Sequence, residues 1–178
     1  MKVTFLKMDK ARQIQEELIW NAGYRMDESL RMIRICMSGL SEKDIWEKPN
    51  ESSNSIGNLI IHLCGNITQY GIASLRNEQD DRKRDEEFSV SSGYTKEELV
   101  QKLSDTIAEA KRTFFDTPLE ELLRKREVQG FNFSGVGNII HVAEHLSYHT
   151  GQIALWTKIL NNKCLGFYDG VDLNAKNR

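Results

Sequence analysis

Gly137–Asn162, GNIIHVAEHLSYHTGQIALWTKILNN, decides the fold. Ile139, Ile140, Val142, Leu146, Ile153, Leu155, Trp156 and Ile159 fall on several sides of a helix drawn through it, the pattern of a helix buried in the middle of a bundle. His141, His145 and His149 stand in it at successive four-residue steps, so each lies one turn, ~5–6 Å, from the next on one side of the helix. The only other histidine of the chain is His62.

Upstream, NSIGNLIIHLCGNITQY (residues 54–70) carries His62 and predicts a helix from near Ser55 to about Leu75, with Ile56, Leu59, Ile60, Leu63, Ile67 and Tyr70 inward. Ile14, Leu18, Ala22, Met26, Leu30, Ile33 and Met37 recur at three- and four-residue steps and predict another between about Asp9 and Met37. A turn over residues 40–49 follows, with Ser41 able to cap a short helical piece. Thr95 and Glu98 form a capping-box signature for a third long helix, whose stripe is Leu99, Leu103, Ile107, Ala110 and Phe114. Pro118, placed for a first helical position, restarts a short one. REVQGFNFSG (residues 126–135) is the only strand-like piece and predicts an extended segment or small hairpin. Four long helices and one long connection, residues 76–94, make an all-α four-helix bundle, one domain over residues 1–178.

Composition narrows the partners. A net charge of −2 with mixed signs leaves no basic excess for nucleic acid. The longest apolar runs, such as Leu59-Ile60-Ile61, are far too short to span a membrane, and MKVTFLKMDK lacks the apolar core of a signal peptide, so a cytoplasmic address is expected. Cys36, Cys64 and Cys164 keep no metal-ligand spacing. Cys64, two residues from His62, diverges by ~200° around the helix and reads as a buried small residue.

Two imidazoles one turn apart and a third from a facing helix can hold a divalent ion with a coordination position left open, as catalytic sites do. Spacing alone leaves the 141/145 and 145/149 pairs as rivals beside His62. The His62 face also carries Asn58, Gly65, Asn66 and Gln69, which would leave room and hydrogen-bonding groups for a ligand, or else face water at the bundle edge. His141-Val-Ala-Glu144-His145 spells H-x-x-E-H, a metalloprotease signature, but only Asp169 and Asp172 remain downstream to supply its acidic ligand.

NSIGNLIIHLCGN, LRNEQDDRKRDEEF with its R-x-R-D-x-E-F run, and HLSYHTGQI, in that order, resemble the DinB/YfiT-like superfamily of bacterial helical metalloproteins from about Asp9 to Leu160. The resemblance implies an up-down-down-up bundle holding one zinc or nickel ion on His62, His145 and His149. It releases His141 to a structural or supporting role. Asn58, Asn66 and Gln69 of the His62 face, with Tyr148, remain the candidates for a possible pocket. The family's usual basic residue after the last histidine is Thr150 here.

The resemblance further implies a small-molecule substrate and a homodimer, for which an apolar exterior on the first two helices is also expected. Relatives include thiol S-transferases using low-molecular-weight thiols, a thiol-dependent isomerase and proteins called hydrolases by analogy. Three functions follow as expectations: a thiol S-transferase with a small thiol as co-substrate, a hydrolase using metal hydroxide, and a non-catalytic metal- or ligand-binding stress protein. No general base stands out, because Glu144 and Tyr148 are both poorly placed beside His145. Arg82, Lys83 and Arg84 would attract an anionic thiol. Asp80, Asp81, Asp85, Glu86 and Glu87 surround them, so the run is expected to be a solvated, self-neutralised stretch.

Overall fold

The computed structural model describes residues 2–176, with side chains from Lys10 onward. Helix α1 runs Lys2–Ser38 and is followed by a 3-10 turn, Asp44–Trp46. A second rod consists of α2 (Ile56–Asn66), a π-helical stretch (Ile67–Ala73) and α3 (Ser74–Arg76). Then come α4 (Arg84–Ser89), α5 (Lys96–Asp116), α6 (Leu119–Leu123), the strands β1 (Lys125–Val128) and β2 (Phe131–Ser134), and α7 (Gly135–Asn161). The bundle consists of α1, the α2 rod, α5 and α7. Both α1 and α2 border α5 and α7, which sets α1 and α2 on opposite corners.

Local chemistry sets the boundaries. Ser55 and Asn58 close a reciprocal capping box at the start of α2, and Thr95 with Glu98 does the same for α5. The α2 rod ends at Asn77 and α7 at Asn162, both left-handed, a conformation asparagine tolerates better than most residues. Pro118 stands one position earlier than expected, as the cap of α6. The strands form a two-residue hairpin with Val128 opposite Phe131. Gln129 and Gly130 both take positive φ there, as the primed turn matching strand twist requires.

One apolar core runs from Ala22 on α1 to Ala154 on α7, and the expected stripes of α2 and α5 lie entirely within it. The α1 stripe does not fully enter the core: Ile14 is 71% exposed. Its companions from Ala22 to Met37 are buried against α5 and α7.

Three other expectations change. The helix carrying His141, His145 and His149 is not buried on all sides, because Ile140, Leu155 and Ile159 of α7 face outward. Exposed apolar side chains stand on α1 (Ile14, Trp20, Tyr24) and α7, and also at Phe115 on α5 and Leu123 on α6, and none is on α2. The long charged connection is not irregular throughout, because α4 forms within it and packs on α2. Among the described residues no helix is long and apolar enough to cross a membrane.

Candidate metal centre

Neighbouring α2 and α7 bring His62, His145 and His149 together. His62 Nε2 stands 2.9 Å from His145 Nε2, and His149 Nε2 stands 3.2 Å from the same atom. Nitrogens bound tetrahedrally to zinc at ~2.0–2.1 Å lie about 3.3 Å apart, so the spacing suits one small divalent ion. His62 and His149 are buried and His145 half-buried.

Two of the three rings are fixed from behind. His149 Nδ1 meets Gln152 Oε1 at 2.6 Å, and His62 Nδ1 meets Glu87 Oε2 at 2.9 Å. A ring whose Nδ1–H donates outward keeps the Nε2 lone pair free, as a ligand must. Burial pushes His62 down to about 4 and His145 to about 3, the latter helped by the neighbouring imidazoles. Burial lowers His149 as well. The three rings are therefore neutral at pH 7, the form that binds metal.

His141 does not join them. Asn66 Nδ2 donates to its Nε2 at 3.2 Å, and its ring packs on Tyr70 at 4.2 Å and on His145 at 5.2 Å. Tyr70 belongs to the π-helical stretch, a feature frequently found at functional sites. Glu144 is exposed and lines a cleft of about 740 Å³ that includes residues of α1 such as Tyr24 and Arg25, so H-x-x-E-H does not act as a unit here. Cys64 is buried, with Thr106 against its thiol and its pKa raised to about 11 by burial, outside the histidine cluster.

The polar face of α2 is neither an open pocket nor a water-facing edge. Residues 80–90 cover it. Asn58 Nδ2 donates to the carbonyls of Glu87 (3.0 Å) and Val90 (2.6 Å), and Gln69 bonds both Arg82 and Asp80. Of the four pocket candidates, Asn58 and Asn66 are buried, Gln69 is half-buried, and Tyr148 is exposed with its ring 5.0 Å from that of His149.

The charged run is thus only partly solvated. Lys83 and Arg84 are exposed, but the side chains of Arg82 and Glu87 are 5% and 8% exposed and joined by bonds of 2.7 and 2.8 Å. Phe88, the only apolar residue between Asp80 and Ser89, lies 4.8 Å from the His62 ring and was the available signal that this run turns inward.

The bundle matches solved structures in its fold. Over 79% of this chain and 91% of its own, the crystal structure of a DinB-like protein, YjoA, from Bacillus subtilis matches with a TM-score of 0.60 and 14% identity. A conserved protein from Enterococcus faecalis matches over 85% and 97%, with a TM-score of 0.61 and 15% identity. The chain belongs to the family described as a protein of unknown function, DUF1572, which matches residues 13–167. No curated protein matches.

Proposed function

We propose that His62, His145 and His149 hold one divalent ion of the zinc or nickel kind, and that the chain is a thiol S-transferase acting on small molecules. The observation that carries this reading is the convergence of the three Nε2 atoms, two of them with the opposite ring nitrogen bonded away from the centre. His62, His145 and His149 would hold the ion through three neutral nitrogens, and the bound ion would supply the positive charge that favours the ionised form of a low-molecular-weight thiol at neutral pH. The thiol's proton goes to solvent. Its sulfur forms a bond to carbon of the electrophile as the bond from that carbon to its leaving group breaks.

The disposition of carboxylates favours transfer over hydrolysis. Glu87 is engaged by His62 and Arg82, and Glu144 lines the cleft shared with α1. A thiolate needs no base beside the metal, whereas hydrolysis commonly relies on a positioned one. Cobalt-substituted protein should gain a sulfur charge-transfer band when a small thiol is added. No band with any thiol, together with ester or amide cleavage, would replace this reading with the hydrolase. Neither response would leave a metal- or ligand-binding protein without catalysis. The apolar faces of α1 and α7 further support a homodimer, and light scattering showing a monomer at micromolar concentration would remove it.

A further inference from the structure

We propose that Glu87 is a positioning residue that makes His62 a metal ligand, that Arg82 holds Glu87 in place, and that Gly65 leaves the space both require. The proposal rests on the metal reading above. A neutral imidazole carries one proton, so His62 offers an Nε2 lone pair only if the proton sits on Nδ1, where it needs an acceptor.

Two groups of opposite demand reach that nitrogen. Glu87 Oε2, at 2.9 Å, accepts a proton, whereas Arg82 Nη2, at 3.1 Å, has only protons to give. If Arg82 prevailed, the proton would move to Nε2 and point into the histidine cluster. The arrangement favours Glu87. Arg82 donates to both of its oxygens, from Nε and Nη2, and spends Nη1 on Gln69 Oε1 at 2.9 Å. The guanidinium and carboxylate also cancel, so the pair brings no net charge to the cation's surroundings. A buried ion pair is a weak source of stability, which makes its position behind a ligand more informative than its existence.

Gly65 supplies an independent observation. A Cβ there would lie 2.0 Å from Glu87 Oε1 and 2.8 Å from Arg82 Nε, so any side chain at 65 displaces the pair. Glycine inside a helix is a poor choice unless something must come close, and here the carboxylate does. Asn58, bonded to the Glu87 and Val90 carbonyls, ties α4 to α2 on the same face.

The test uses wild type, Glu87→Ala and Gly65→Ala. Nitrogen-15 spectra of the metal-free proteins report the His62 tautomer, and zinc affinity comes from competition with a chromogenic chelator. Wild type should carry the proton on Nδ1. Both variants should move it to Nε2 and weaken zinc binding about 10- to 100-fold. Gly65→Ala keeps every charge and favours the helix, so it retains its circular dichroism and stands in for Glu87→Ala if that variant does not fold. Variants that keep the Nδ1 proton and bind zinc within about twofold of wild type, less than that lower limit, overturn the proposal. Should wild type bind no zinc, the metal reading fails separately and the tautomer alone decides: a shift in the variants upholds the role of Glu87, and no shift overturns it.

Discussion

The two sides of the histidine cluster are built on different grounds. On the α7 side, His145, His149 and the Gln152 that orients His149 follow one another within eight residues of one helix, and the helical rise alone sets their spacing. On the α2 side, His62 depends on Arg82, just before α4, and Glu87, within it, 20 and 25 residues away. One half of the site therefore forms whenever its helix forms. The other half exists only when α4 docks on α2. A helix can carry ligands without help, but a ligand on its partner helix can still need a strap to set its proton.

That contrast can be broken by substitution. The largest effect is expected when the two orienting acceptors are removed in parallel. Glu87→Ala should weaken zinc by about 10- to 100-fold, whereas Gln152→Ala should cost less, since a bond to a neutral amide is about half as strong as one to a charged carboxylate. Equal losses in a chelator competition assay would mean that both sides are oriented to the same degree.

Acidification should destabilise the metal-free protein through the same rings. In the unfolded chain imidazoles protonate near ~6.5, while the folded metal-free protein holds His62 at about 4 and His145 at about 3. Below ~6.5 the unfolded state takes up protons that the folded state refuses. The stability tied to the neutral rings is complete above that pH and is lost as the pH falls through about 4 for His62 and about 3 for His145. Thermal unfolding of metal-free protein should show Tm flat above neutrality and falling through this interval, with a shallower fall in His62→Gln. Zinc release should follow the same direction, because protons compete for the rings. A Tm that rises on acidification would contradict the burial described here.

A smaller effect separates fold from site. Thr95 caps α5, which carries none of the three histidines. Thr95→Ala should lower stability by ~1 kcal/mol in denaturant unfolding and leave zinc affinity unchanged.

What the sequence made legible follows the same division. Helical periodicity placed the stripes of α2 and α5, and the Thr95/Glu98 box marked the start of α5, because these depend on neighbours within a turn or two; α7, read as buried on several sides, exposes Ile140, Leu155 and Ile159, because its neighbours cover only part of it. The three clustered histidines were open to the same logic only in part. Spacing left His141 as a rival to His149, and the family resemblance separated them; in the structure His141 bonds Asn66 and lies on Tyr70. Arg82 and Glu87 were not legible, because a charged run looks solvated until the surface receiving it is known. That surface was visible piecemeal as Asn58, Gly65 and Gln69 on one face of the α2 rod, and only tertiary packing joined it to residues 80–90. The π-helical stretch had no local signal, and the exposure of Ile14 reflects which part of α1 its neighbours cover.

The assignment of one ion to His62, His145 and His149, and not to His141, is tested by elemental analysis of zinc-loaded, desalted protein for wild type and the four single His→Ala variants. Wild type and His141→Ala should each retain about one zinc per chain, and His62→Ala, His145→Ala and His149→Ala should lose most of it. Wild type without zinc, or a site emptied by His141→Ala and kept by His149→Ala, would contradict the account.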